Sequence, residues 1–326
     1  MAGPFTIVLT LLMPARDNAA LMAMQVFDYP RVVDSRFPGL IDRIREVIQK
    51  SENKYEGRKG SSESYLWEHS LHAASIACQL AQAEKMDPLI PVVAALFHDA
   101  GKFAGGKYHS DDETIEEEES ARIAGRILGQ VGMKSSDIRR VLSGLKALYR
   151  ENAKKNAIAA IIHDADFLSK FGALGVAVFF IKSALRRRTL RSTVLGYLSK
   201  ELTYASCLPL NMHTSAGRKL AAKKASDSLK FFRALLAELR EAGIADLRIQ
   251  QLRIASPGSK NQLLKVQLVA SPNCTSCGGG WNIAWTTDKG VKCQKLSVDW
   301  ACSHCEERQE TSFCLPEIAH YRPKSP

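Results

Sequence analysis

The stretch Val92-Val93-Ala94-Ala95-Leu96-Phe97-His98-Asp99-Ala100-Gly101-Lys102 decides how this chain folds. Its first six residues are all apolar, the pattern of a helix buried on most of its surface. Such a helix has no reason to end in His98-Asp99 unless something compensates them, because a buried carboxylate left unpaired costs several kcal/mol. The pair therefore points toward a metal or another cation. Gly101 is expected to permit a sharp exit that leaves both side chains at one mouth.

Two other stretches repeat the signature. Upstream, Tyr65-Leu66-Trp67-Glu68-His69-Ser70-Leu71-His72 opens a helical pattern that continues through Ala73, Ala74, Ile76, Ala77 and Leu80. Downstream, Ala159-Ala160-Ile161-Ile162-His163-Asp164-Ala165-Asp166-Phe167-Leu168 is an apolar helix that suddenly carries carboxylates. Three apolar helices interrupted by His or Asp can converge on one cation inside a bundle.

In this order the residues resemble the HD superfamily of metal-dependent phosphohydrolases, whose pattern is H…HD…D. The matching residues are His69, the pair His98-Asp99 and the second aspartate of Asp164-Ala165-Asp166. Glu119-Ser120-Ala121, read as a helix start, and Met212-His213-Thr214-Ser215-Ala216-Gly217-Arg218-Lys219-Leu220-Ala221 also fit. The resemblance spans residues 60–243 and implies a mainly α, HD-type helical bundle. It implies that His69, His98, Asp99 and Asp166 bind one divalent metal; spacing alone leaves Asp164 open as the ligand in place of Asp166. Two imidazoles and two carboxylates with open positions suit Mn, Fe, Co, Ni or Mg. No histidine lies between His109 and His163, which favours one metal over two, with His109 read as a solvent-exposed loop residue. By its place in the motif Lys102 is expected on a phosphate oxygen. His72 shares the face of His69 one helical turn on. Glu68 and Asp164 are the nearest spare carboxylates for activating water. The implied activity is hydrolysis of a phosphomonoester or phosphodiester, with a nucleotide as the expected substrate. The rivals are an HD-type nuclease and a non-catalytic sensor that binds nucleic acid or protein.

The chain's 326 residues carry a formal net charge of +11. The excess sits in residues 131–260, densest at Arg186-Arg187-Arg188, Arg191, Arg218-Lys219 and Lys223-Lys224. Such a balance attracts phosphate-bearing partners. No aromatic residues interleave with those clusters in sequence, which weakens a single-strand-binding reading. No window holds the ~18 uninterrupted apolar residues of a membrane span. The apolar start, Pro4 to Pro14, lacks a basic segment before it and makes a poor signal peptide. Met22 or Met24 is an alternative start, and the protein is expected in the cytoplasm.

Residues 1–30 are expected to form a poorly ordered tail and residues 31–243 the helical domain. Within it, 38–50 reads as an amphipathic helix and 51–64 as a loop. The acidic run 111–119 reads as a solvated turn before a helix over 120–131. Long helices follow near 136–150, 153–185, 192–205 and 215–242. After Gly243 the texture changes: 247–254 and 262–269 read as strands around Ser256-Pro257-Gly258-Ser259. Cys274-Thr275-Ser276-Cys277 and Cys302-Ser303-His304-Cys305 are two C-x2-C knuckles, whose natural occupant is one structural zinc on four thiolates. Residues 244–326 are thus expected as a β-rich zinc ribbon. Cys293 and Cys314 remain as spares, and Cys78 and Cys207 as small hydrophobes.

Overall fold

The apolar run at 92–97 lies in α4 (Leu89–Phe97), every residue of which is buried. The computed structural model describes residues 29–58, 61–108, 115–150, 153–255, 263–289 and 293–316. The expected tail up to residue 28, the alternative starts, His109 and the 256–259 turn lie outside these residues, and α1 already begins at Tyr29. Around α4 pack α1 (Tyr29–Arg36), α3 (Tyr65–Ala83), α5 (Ile115–Gln130), α6 (Ser135–Ala147) and α7 (Ala157–Ser169). α2 (Leu40–Glu56) crosses α3 and α5. Their apolar faces form one cluster that includes Phe97, Leu96, Ile162, Leu168 and Leu128.

Several boundaries differ from those read in sequence. α2 runs on to Glu56, into the expected loop, because Glu52 turns inward and is held by Ser64, the N-cap of α3. α5 begins at Ile115, so Ser120 lies inside a helix rather than at its start, and Glu116 leaves the acidic turn for the interior. Gly101 is not in the left-handed region. It is glycine because a Cβ there would stand 2.2 Å from the Glu116 carbonyl oxygen. The helix expected over 153–185 breaks at Lys170. α8 (Gly172–Leu185) leaves α7 at 69° through Gly172 at φ 80°, and a Cβ at Gly175 would strike the Lys170 carbonyl.

α9 (Leu190–Asn211) and α10 (Ser215–Glu241) complete the bundle, with α10 packed on α7, α8 and α9. A hairpin of β1 (Arg248–Ala255) and β2 (Leu263–Ala270) follows, antiparallel with Arg248 opposite Ala270. A separate sheet has the order β3–β4–β5: Trp281–Lys289, Gln294–Cys302 and Arg308–Cys314. The hairpin lies on the far side of the 243/244 boundary, yet Leu247 and Val269 share a core with Val194, Leu198 and Leu202 of α9. On its other face Leu264, Val266 and Leu268 pack with Val298, Trp300 and Phe313 of the three-stranded sheet. The architecture is a mainly α helical bundle followed by a small β-rich module.

Cys293 and Cys314 are not spares: they are disulfide-bonded, tying the start of β4 to the end of β5. No single helix among the described residues is long and apolar enough to cross a membrane; α7 and α8 pass that test only as a bent pair, and α7 is almost wholly buried.

Candidate metal centre and its surroundings

His69 comes from the second turn of α3, His98 from the residue that ends α4, and Asp166 from the buried middle of α7. The two Nε2 atoms are 3.3 Å apart, and Asp166 Oδ1 lies 3.0 Å from that of His69 and 3.6 Å from that of His98. Asp99 flanks them, with a carboxylate oxygen 3.6 Å from each Nε2.

The second ring nitrogens fix the tautomers. His98 Nδ1 lies 2.7 Å from the Ala95 carbonyl and so must donate to it. Ser169 Oγ donates to the Asp166 carbonyl at 2.7 Å, which leaves it to accept from His69 Nδ1 at 3.3 Å. Both Nε2 lone pairs therefore face each other and Asp166 Oδ1, which is buried without a well-formed hydrogen bond. Three lone pairs converging in a buried space repel one another unless a cation sits among them. The donor set fits a divalent metal, and His69, His98 and Asp166 form a group whose ligand atoms all lie within 4.8 Å of one another.

Charges around the group act on it strongly. Burial pushes the Asp166 carboxyl up, but Lys170, His69 and His98 more than reverse this and hold it well below the usual carboxylate range. Burial likewise opposes ionisation of Asp99, and Lys102, His98 and His69 overcome it. Burial lowers His69, whereas in His98 burial is outweighed by the carboxylates of Asp99 and Asp166, which bring it to about 9, so that without a metal a proton on His98 Nε2 supplies the positive charge the cluster demands.

Lys102 stands 3.2 Å from Asp99 and 3.6 Å from Glu116, beside the ligand group. His72 is half-buried and lowered to about 4 by burial, then by Lys224 and His69, so its imidazole is neutral at pH 7. Glu68 lies exposed on α3.

Asp164 has another post, which corrects the expectation that it is a spare carboxylate. It is fully buried and accepts from His163 Nδ1 (3.0 Å), the backbone N–H groups of His213 and Thr214 (both 2.8 Å) and the Thr214 hydroxyl (2.7 Å). These bonds fasten the start of α10 to α7, and a Cβ on Gly217 would lie 2.2 Å from Asp164 Oδ2.

Four residues around the ligand group were not picked out from the sequence. Tyr149 donates its hydroxyl to Asp166 Oδ2, and Lys170 reaches the same oxygen at 2.7 Å. Ser169 orients His69. Glu116 is raised to about 7 by burial and by Asp99, against Lys102. Only Lys170 and Ser169, within one turn of Asp166, sit at a spacing that periodicity could have suggested.

In the β-rich module Cys274, Cys277, Cys302 and Cys305 form a second ligand group. Their sulfurs approach to 3.6 Å (Cys274 to Cys305) and 3.4 Å (Cys277 to Cys302), and none is disulfide-bonded. Each knuckle is closed by backbone: Gly278 N–H donates to the Cys274 carbonyl, and His304 N–H to the Cys302 sulfur. A Cβ on Gly279 would fall 2.5 Å from His304 Nδ1, so the first knuckle needs glycine to seat against the second. Four thiols at this spacing can hold a zinc ion.

Residues 66–166 match the family model of the HD domain. A search of the curated proteins finds no match. Among solved structures the chain is similar to a predicted HD superfamily hydrolase from an uncultured Thermotogales bacterium, at 19% identity over 61% of this chain and 90% of that one, with a TM-score of 0.42. It is also similar to Bacillus subtilis YpgQ in complex with ADP, at 22% identity over 62% and 96%, with a TM-score of 0.44. An HD-superfamily hydrolase from Bacillus thuringiensis gives 17% identity over 61% and 97%, with a TM-score of 0.42.

Proposed function

We propose, from residues 66–166 being an HD domain with its ligand group intact, that the protein hydrolyses a phosphomonoester or phosphodiester, with a nucleotide as substrate. The observation that carries the reading is the convergence of two imidazole lone pairs and the unpartnered Asp166 Oδ1 in one buried space. His69, His98, Asp99 and Asp166 would hold a divalent ion. Once bound, such an ion polarises the phosphoryl group and lowers the pKa of a bound water.

The chain's own residues supply the rest. Lys102, extended between Asp99 and Glu116 and still one-quarter exposed, is placed to bind a non-bridging phosphate oxygen. His72, neutral at pH 7, can donate a hydrogen bond to phosphate. With Asp164 committed to α10, Glu116 replaces it as the carboxylate positioned to take a proton from water, and exposed Glu68 is the less sheltered choice. The four cysteines would hold a structural zinc, independent of the chemistry.

The test is a turnover assay of the full-length protein on aryl phosphomonoesters, aryl phosphodiesters and nucleotides with Mn, Co, Ni and Mg. Hydrolysis is expected with at least one metal. In Asp99→Ala it should be lost, together with the metal bound in excess of zinc. Full activity in metal-loaded Asp99→Ala, or none in the wild type with any metal, overturns the reading.

A further inference from the structure

The break between α7 and α8 turns a second set of cations toward the ligand group. Lys182 holds its ammonium 5.4 Å over the Tyr65 ring, and that ring lies parallel to the His69 imidazole, 6.5 Å away at 4°. Lys182 therefore stands one aromatic layer beyond a metal ligand. Arg186 follows one helical turn later. From α9, Lys200 lies 5.5 Å over Tyr204, whose ring is parallel to that of Phe167, and Phe167 in turn carries Lys170 at 5.3 Å.

These groups feel one another. Lys182 is brought down to about 8, first by burial and then by Arg186, Lys102 and Lys170. Lys200 is lowered by burial, with Lys170 and Arg186 adding to it and Glu201 opposing. Lys102 and Lys170 have carboxylate partners in Asp99 and Asp166. Among the described residues no carboxylate lies within ion-pair distance of Lys182, Arg186 or Lys200. At longer range Asp99, already paired with Lys102, acts on Lys182, and Glu201 acts on both Lys182 and Lys200, so the rim keeps an excess of positive charge. Holding like charges together costs stability, which a bound anion offsets.

We propose that Lys182, Arg186 and Lys200 form a subsite for a second phosphate group, so that the substrate carries a chain of at least two phosphates. Lys102 would take the phosphate beside the ligand group, and the rim the one beyond it. Lysine serves as a point charge and arginine as a two-pronged donor to phosphate oxygens. The proposal rests on the hydrolase reading for what happens at the metal ligands, but not for what the rim binds. A short anion fits better than a polynucleotide, because the positive charge does not continue as a track. Arg187 departs at φ 57° where α8 ends, and Arg188 turns away onto Tyr197, 3.7 Å from its ring centre.

Calorimetric titration of the manganese-loaded full chain with orthophosphate, pyrophosphate and tripolyphosphate tests this without turnover. Wild type should bind tripolyphosphate at least about ten-fold more tightly than orthophosphate. Lys182→Gln and, independently, exposed Arg186→Gln should each remove roughly ten-fold of that preference while leaving orthophosphate binding in place. Lys182→Arg should retain it. Equal weakening of both anions, or no change in either variant, overturns the subsite. So does an RNA oligonucleotide that binds more tightly than tripolyphosphate with a salt slope of many contacts. A protein that selects chain length yet hydrolyses nothing sustains the subsite and overturns the hydrolase reading.

Discussion

Tyr149 shows how a site is finished by residues with no motif of their own. It sits at φ 62°, a left-handed conformation that costs a non-glycine residue about 1 kcal/mol, and there its hydroxyl reaches Asp166. Partners that orient metal ligands are typically worth ~10–100-fold in metal affinity. Tyr149→Phe should therefore weaken manganese binding by about ten-fold or more while the fold persists; a competition titration that finds unchanged affinity removes Tyr149 from that role. His69, His98 and Asp99 stood out as candidates because each interrupts an apolar helix at a cost that demands explanation, whereas Asp166 was preferred to Asp164 only through the family resemblance. Tyr149 and Glu116 did not stand out, because a loop and a helix start bring them in from positions with no fixed spacing. Glu52 behaves differently: burial raises its carboxyl despite hydrogen bonds from Ser64 and the Leu66 N–H. A raised acid binds its proton more tightly in the folded chain. Its contribution is therefore fully present below the ordinary carboxylate pKa and is lost as pH rises through the folded value. Glu52→Gln should flatten that part of the stability–pH curve, measured by denaturant unfolding; an unchanged slope would show that the carboxyl is already ionised there.

At the scale of elements, the start of α10 depends on a carboxylate of α7. Asp164 accepts four hydrogen bonds, two of them from backbone N–H groups just before and at the N-cap Thr214. Bonds to a charged acceptor are worth ~1.5–3 kcal/mol each, and a buried donor left unpaired costs a further ~1–3 kcal/mol. Asp164→Ala should destabilise the protein by several kcal/mol, while bound manganese measured on the folded fraction stays near one per chain. Loss of the metal without loss of melting temperature would return Asp164 to the ligand set. In sequence Asp164 and Asp166 looked interchangeable, since positions two apart on a helix differ only in the side they face. The neighbours on the two sides separate them: the N-terminus of α10 beside Asp164, and the imidazoles of α3 and α4 beside Asp166. The α7–α8 break was hidden for a similar reason, because apolar periodicity runs through Phe171 and Gly172 and only packing reveals the turn.

Taken as a whole, the molecule joins its two ligand groups through the β1–β2 hairpin. One face of α9 presents Ser199, Thr203 and Ser206 at helical spacing to strand β2. Ser199 Oγ accepts from the Val269 N–H at 2.9 Å, and Thr203 Oγ1 accepts from the Gln267 N–H and donates to its carbonyl. The helix thus covers a strand edge whose backbone would otherwise stand unpaired. The sequence marked this hairpin as strand but gave no sign of what it packs on, since its alternation suits either neighbour. Two truncated chains distinguish the possibilities. A chain ending after Ser271 keeps the hairpin on α9 and loses only the three-stranded sheet and the cysteine group. A chain ending at Gly243 also uncovers Val194, Leu198 and Leu202, whose burial near ~25 cal/mol per Å² is a large part of what holds α9. The longer chain should bind manganese like the full-length protein and contain no zinc, with α9 amides protected from hydrogen exchange. The shorter one should melt lower and exchange those amides quickly. Because Lys200 lies on α9, it should also lose preference for tripolyphosphate. Equal melting and equal protection in the two chains would instead make the hairpin part of the zinc module and place the unit boundary at Gly243.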